Sequence, residues 1–435
     1  MRVRIRNGRV IDPARGVDEV RDLVIVDGRI DAFVGPDVMG DFDLDVDATG
    51  LVVTPGFVDL HCHLREPGFE DKETIATGSM AAAAGGFTTI CCMPNTAPTL
   101  DRGVDIEFVQ SAARRAGRAR VLPLGSVTQG QLGRELSDMS EMAAAGAVGF
   151  SDDGHPVWDA RLMRFALELS RRHGLPVVDH CEDPALAAGG VLNEGRVSDL
   201  LGLRGQPSSS EEVMVARDLN LARVTGGRLH LAHLSARGSV MLLRAARREG
   251  IAVTAEVTPH HLTLTEDWAL GSMGGRAYDT RTKVAPPLRT EADRRALVEA
   301  LAEGVIDVIA TDHAPHRLID KECTYDEAAF GISGFETALG SLMTLVASGE
   351  LALIDMIRRL TVEPCKAFGL PYGTLAPGAV ADVTVFDPET TWQVSSGRFF
   401  SKGKNTPLEG KSLRGTVRMT LVDGRVVYDA QADAQ

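Results

Sequence analysis

The sequence predicts an α/β protein: a (β/α)8 barrel of the TIM type over residues 55–369, carrying a small β-sandwich built from both termini, residues 1–54 and 370–435. Three observations predict it. Each end of the chain places an Asp-Gly pair between alternating apolar residues, in "DLVIVDGRIDAFVG" (22–35) and "RMTLVDGRVVYDA" (418–430), which is a hairpin signal. Between the ends, short apolar runs alternate with helical stretches in about eight units of ~30–45 residues, the signature of a parallel sheet covered by helices. The apolar runs end in polar residues, and the C-terminal ends of barrel strands are where such folds place their chemistry.

Composition sets the outer bounds. A chain of 435 residues is long enough for a large core plus a second module, and 44% hydrophobic with 24% charged residues is ordinary for a globular protein. The formal charge of −14 argues against nucleic acid or an anionic membrane as main partner. A small anionic substrate stays open, because local arginines override the global sign. The start, "MRVRIRNGRVIDP", has no apolar core of a signal peptide, so a cytoplasmic protein is expected. Six cysteines (62, 91, 92, 181, 323 and 365) in so long a chain do not form a disulfide framework. Cys91 and Cys92 sit in an apolar run and read as buried thiols.

Taken in order, the elements carry a recurring chemistry. The N-terminal hairpin leads into "LVVTPGFVDLHCHLREPG" (51–68), a strand on which Asp59, His61 and His63 alternate and so project to one side. "SMAAAAGGFTTICCMP" is built of small residues, contains two glycines and is too short to span a membrane; its "FTTICCMP" part opens the next apolar run. The later runs are "GAVGFSDDG", "LPVVDHCED", "RLHLAHLS", "IAVTAEVTPHH" and "IDVIATDHAPH", with "SSEEVMVARDLNLARVTG" and "EADRRALVEALAEG" among the helices. Their ends supply Asp152 and Asp153, His180, His233 and Asp312. One strand-end histidine is usually a satisfied core residue. Imidazoles and carboxylates on five strand ends of one barrel face point instead to a metal centre. Four histidines with carboxylates suit zinc or a similar divalent ion rather than magnesium or calcium. The donors exceed what one tetrahedral ion needs, which favours two metals sharing a bridging ligand.

The motifs "DLHCHLREPG", "MPNT", "GFSDDG", "DHCED", "LAHLS", "EVTPHHL", "KVAPPLR", "ATDHAPH", "GISGFET" and "SKGKNTPLEG" run in order over nearly the whole chain. Together they resemble the bacterial type I dihydroorotases of the amidohydrolase superfamily. The Asp-x-His-x-His pattern marks only the superfamily; "HLREPG", "MPNT" and the late "NTP" narrow it. The resemblance implies a reversible cyclisation of N-carbamoyl-L-aspartate to L-dihydroorotate in pyrimidine (UMP) biosynthesis, with two zinc ions per subunit. It implies that His61 and His63 hold the first zinc and His180 and His233 the second, with Asp153 bridging where many relatives use a carbamylated lysine. Asp312 would touch the first zinc and act as general acid/base, and Asp59 would orient a neighbouring histidine. Arg65 would grip the substrate carboxylate, with Asn95, His63 and His316 also against the substrate. Phe330 and Gly331 would offer backbone groups to the pyrimidine ring from a loop (317–337) that closes over the site.

One departure stands out: relatives usually have asparagine where this chain has Arg281 and again where it has Ala285, and the first is a substrate contact. Arg281 either makes a longer charged contact or leaves that contact unmade. Blander readings remain for others. Asn95 could cap a turn, Asp152 is structural, and Lys321 and Glu322 are solvated loop charges. His260 and His261 are packing or supporting groups, His230 is strand packing, and His155 and His173 belong to surface or loops. Two rival functions follow from the same resemblance. Hydantoinases and allantoinases share the cluster but normally carry the bridging lysine. A silent scaffold for aspartate transcarbamoylase should have lost metal ligands. A homo-oligomer is expected, with association to a transcarbamoylase open.

Overall fold

The computed structural model describes residues 1–34, 41–271 and 274–433. Gly35, the last residue of the expected first hairpin, and the last two residues of the expected terminal domain lie outside them. Both termini fold into one eight-stranded sheet. It takes β1 (Arg2–Asp12), β2 (Val17–Val26), β3 (Arg29–Val34), β4 (Leu44–Asp47) and β5 (Val52–Pro55) from the start of the chain. From the end it takes β16 (Val383–Gln393), β17 (Ser412–Val422) and β18 (Arg425–Asp429). The order is β18-β17-β16-β5-β1-β2-β3, with β4 beside β1. Both Asp-Gly pairs turn hairpins as expected, Asp27-Gly28 at φ 47° and 79° and Asp423-Gly424 at φ 50° and 72°, the left-handed pair that matches strand twist. The two turns meet: a side chain on Gly28 would lie 2.8 Å from the Asp423 carbonyl.

Between the two halves of this sheet run parallel strands alternating with helices. β6 (Phe57–Cys62), β7 (Phe87–Cys92) and β8 (Arg120–Pro123) form one arc, and β9 (Phe150–Ser151), β10 (Val177–Asp179), β13 (Leu229–Leu231), β14 (Val253–Val257) and β15 (Val308–Ile309) form the other. β11 (Leu192–Asn193) and β12 (Gly205–Gln206) make a separate parallel pair in the connection after β10. Parallel bridges join the arcs at both edges, Gly125 to Phe150 and Cys62 to His313. The helices follow sequence signals. In Ala160–His173, Asp159 caps the first turn by accepting from the amides of Arg161 and Leu162, Gly174 ends it in a left-handed conformation, and Leu162, Met163, Ala166 and Leu167 form the buried stripe. Five cysteines are buried, Cys323 is exposed, and all six are free thiols. Among the described residues, no helix is long and apolar enough to cross a membrane.

The terminal sheet packs against the strand-start end of β6–β8. Phe57 lies 6.2 Å, ring to ring, from Phe386. Gly56 donates its amide to the Asp382 carbonyl at 2.9 Å, and Thr384 Oγ1 donates to Gly86 O at 2.6 Å. Arg120, at the start of β8, is the main ionic tie: it pairs with the buried Asp382 at 2.6 Å and with Asp423 at 2.8 Å. After β16 the chain leaves this face and runs through Phe399–Leu408 to the other end of the strands before returning in β17. Replacing Arg120 with methionine would leave Asp382 buried without its cation. We expect a loss of about 3 kcal/mol in urea unfolding; a loss under about 1 kcal/mol would mean the tie is not what couples sheet to strands.

Candidate active site

The C-terminal ends of the strands bring together all six expected metal ligands. His61 lies next to the last residue of β6 and His63 just past it; Asp153 follows β9, His180 β10, His233 β13 and Asp312 β15. All are buried. The carboxylate of Asp153 lies between two histidine pairs. Its Oδ2 is 3.4 Å from Nε2 of both His61 and His63. Its Oδ1 is 3.2 Å from His233 Nε2 and 3.6 Å from His180 Nδ1. Asp312 Oδ1 adds to the first pair, at 3.1 Å from His63 Nε2 and 3.6 Å from His61 Nε2. Two sets of donor atoms, His61–His63–Asp312 and His61–Asp153–His233, each fall within 4.8 Å.

The surroundings fix which nitrogens face inward. Glu256, at the inner end of β14, accepts from His61 Nδ1 at 2.6 Å. Asn95 Oδ1 accepts from His63 Nδ1 at 2.9 Å. Each bond places a proton on Nδ1 and turns Nε2 toward the cluster. His61 Nε2 is buried with no hydrogen-bond partner, an orphaned nitrogen at the centre of a set of carboxylates. Burial opposes a charge on His61, yet Asp153 and Glu256 outweigh it and hold the imidazole well above its ordinary range. Burial likewise opposes a low pKa for Asp312, but the histidines bring its carboxyl well below the usual range. The donor set and the orphaned nitrogen fit divalent ions of the zinc type.

Three site residues are held in left-handed backbone: Arg65 at φ 62°, His233 at 28° and Asp312 at 45°. For residues with a Cβ this costs about 1–3 kcal/mol each. Asp59 explains how one of them is held. Its two oxygens accept from the Thr311 amide at 2.8 Å and the Thr311 hydroxyl at 2.6 Å. Asp59 therefore fixes the turn entering Asp312, and not a histidine ring as expected; Glu256 orients His61 instead. His230 also exceeds its packing role, since its Nε2 lies 3.0 Å from Glu256. Glu182 Oε2, which accepts from Gln206 Nε2 at 2.7 Å, stands 3.5 Å from His180 Nε2 on the side away from the cluster. Asp152 accepts from the amides of Val127 and Thr128, a structural position.

The cluster opens into a cavity of about 270 Å³, lined also by Arg65, Asn95, Gly154, Ala285, Ala314, His316, Phe330 and Gly331. Burial lowers Arg65 to about 10, which leaves it a cation at neutral pH. Burial and the Arg65 charge drive His316 down to about 2, so it is neutral; its Nε2–H donates to Phe330 O at 2.8 Å. The backbone of Phe330 and Gly331 is less available than expected. Gly331 N donates to Lys283 O at 2.9 Å, and Gly331 O accepts from Asn405 at 3.0 Å. Arg281 is not among the lining residues; its guanidinium grips Asp279 through two bonds of 2.8 and 2.7 Å, a nearer partner than the cavity. Ala285 does line it. Lys321 corrects the expectation of a solvated charge. It is 4% exposed, and its ammonium donates to the carbonyls of Thr280, Lys283 and Ala329 at 3.1, 3.2 and 2.6 Å.

Residues 50–239 match the dihydro-orotase-like family. The chain is 51% identical over 428 residues to a dihydroorotase of Pelotomaculum thermopropionicum, covering 98% of each chain. It is 51% identical over 426 residues to a dihydroorotase of Anaeromyxobacter sp. (strain K), covering 98% of this chain and 97% of that one. Among solved structures it is similar to the L-hydantoinase (dihydropyrimidinase) from Arthrobacter aurescens, at TM-score 0.86 and 28% identity over 98% and 96% of the two chains. A D-hydantoinase (dihydropyrimidinase) from Thermus sp. follows at TM-score 0.80 and 26% identity over 98% and 94%.

Glu256 was not singled out in the sequence, though it is the one acid within the β14 strand. Its geometry makes a sharp expectation: Glu256→Gln should weaken divalent-metal binding about 10–100-fold in equilibrium dialysis. Unchanged affinity would show that the Glu256–His61 bond does not orient the ligand.

Proposed function

We propose that this chain, which belongs to the dihydroorotase family, is a cyclic amide hydrolase that interconverts L-dihydroorotate and N-carbamoyl-L-aspartate. The observation that carries the reading is a single cavity holding a carboxylate between two histidine pairs together with the cation of Arg65. The architecture behind it is read as one closed (β/α)8 barrel over 55–369, the two arcs joined through the Cys62–His313 and Gly125–Phe150 bridges. The terminal strands are read as a separate β-sandwich domain of residues 1–54 and 370–435.

Two zinc ions would be held by His61, His63 and Asp312 on one side and His180 and His233 on the other, with Asp153 between. When bound, such ions supply a Lewis acid for a carbonyl and a nucleophilic water at neutral pH. The chain's own groups do the rest. Arg65 offers a planar fork for the substrate carboxylate, and the Nδ2 of Asn95, whose Oδ1 is committed to His63, is free to share it. Asp312 Oδ2 takes no hydrogen bond among the described residues. In ring opening it accepts the proton of the attacking water and passes it to the departing ring nitrogen; ring closure runs the same transfers backward. His316, being neutral, adds a polar wall without competing for the anion. Arg281, turned to Asp279, is left out of substrate binding.

The structural likeness to hydantoinases keeps one rival in view. It shares the fold and the class of bond, at 28% identity against 51% for the dihydroorotases. The test is an assay in both directions on protein of measured zinc content, with hydantoin and allantoin beside dihydroorotate. Turnover of a control and none of dihydroorotate would overturn the substrate. In the same assay Asp312→Asn should fold normally and lose about 10²–10⁴ in kcat. A variant near wild type would remove Asp312 as the proton carrier.

A further inference from the structure

The "SKGKNTPLEG" stretch of the C-terminal segment crosses from the terminal sheet to the active-site end of the strands, and no role in the reaction has yet been given to it. Its Asn405 is 4% exposed and uses the full hydrogen-bonding capacity of its amide. Nδ2 donates to Ala314 O at 3.0 Å and to Gly331 O at 3.0 Å. Oδ1 accepts from His316 N at 3.0 Å and from Ser333 Oγ at 2.8 Å. The Asn405 carbonyl also accepts from Ser333 N at 3.0 Å. Two donors and two acceptors is all that an asparagine side chain has.

None of the four partners is local to Asn405. They belong to two segments, 314–316 after β15 and 331–333 before the helix Phe335–Ser348, and Ala314, His316 and Gly331 all line the cavity. Asn405 itself is set firmly. Gly403 passes so close that a side chain there would meet Pro315 Cβ at 2.4 Å and Ser333 Oγ at 2.6 Å. Glu336 accepts from Phe400 N at 2.7 Å. Gly331 has no slack, since at φ 140° an added Cβ would lie 2.7 Å from the Ala314 carbonyl.

We infer that Asn405 is a positioning residue for the reaction: from the C-terminal segment it locks the two segments that form the wall carrying His316 and Gly331, and so sets the substrate's seat without touching substrate or metal ligands. The inference rests on the reading of this cavity as the substrate site. An aspartate at this position would keep the shape but set an oxygen against two carbonyls at 3.0 Å and bury a charge. A buried donor or acceptor stripped of its partner loses its compensation for desolvation.

The test uses Asn405→Asp and the milder Ser333→Ala, which removes one of the four bonds. Both are compared with the wild-type chain for zinc content, steady-state kinetics with dihydroorotate, and amide hydrogen exchange over 312–318 and 328–334. The expected result is unchanged zinc content and faster exchange in both segments. KM should rise at least tenfold for Asn405→Asp and two- to fivefold for Ser333→Ala, with kcat within about threefold of wild type. A purely structural role would instead lower zinc content or the active fraction and leave KM alone. Unchanged exchange, or faster exchange with unchanged KM, would overturn the inference. Should Asn405→Asp fail to fold, Ser333→Ala decides by the same criteria. A wild-type chain inactive on dihydroorotate would count against the proposed function, while exchange still reports whether Asn405 locks the wall.

Discussion

The carboxylate of Asp153 is the constraint around which the site is built. It is a buried anion with no lysine or arginine bonded to it among the described residues, and four imidazoles converge on it, two on each oxygen. Buried charge is tolerated only when paired, and the pairing comes from either side: against the opposing effect of burial, this carboxylate together with Glu256 holds His61, and together with Glu182 holds His180, well above the ordinary imidazole range. Glu256, Asn95 and Glu182 therefore matter as much as the histidines they face, because each meets the outer nitrogen of a ring and so settles which nitrogen faces in. Asp153 also accounts for the lack of any lysine in the cluster: the group that joins the two halves comes from the chain unmodified.

From that centre the strain and the walls follow. Arg65, His233 and Asp312 sit at strand ends where the chain must turn and still aim a side chain back over the mouth, and left-handed backbone is how it does so. The Thr311 bonds to Asp59 and the bond from His233 N to Glu256 at 3.2 Å are among those that hold these turns. The irregular loops that build the rest of the cavity have no ladder to satisfy their carbonyls. Lys321 satisfies three of them and Asn405 two more. Irregular backbone at the mouth is thus fixed by buried polar side chains, some from far along the chain.

The same distinction explains what the sequence made legible. The clustered histidines and carboxylates could be read because their types recur at strand ends, a pattern visible without knowing what touches what. The Asp-Gly hairpins could be read because their turn chemistry is local. Glu256 bonds His61 across 195 residues and carries no spacing signature; only its place as an acid inside an apolar strand hinted at it. Asn405 lies within "SKGKNTPLEG", and nothing local shows that its partners lie 72 to 91 residues away. Lys321 was misread because lysines are usually solvated, and nothing local announces three carbonyls in need of a donor. Arg281 stands where the resemblance implies a substrate contact, but Asp279, two residues before it, holds its guanidinium in two bonds.

The central claim is that Asp153 joins two ions. Crystals grown with zinc and measured at the zinc absorption edge test it most directly. The account expects two anomalous peaks flanking the Asp153 carboxylate, one beside His61 and His63 and the other beside His180 and His233. A single peak, or a second one away from Asp153, would contradict it.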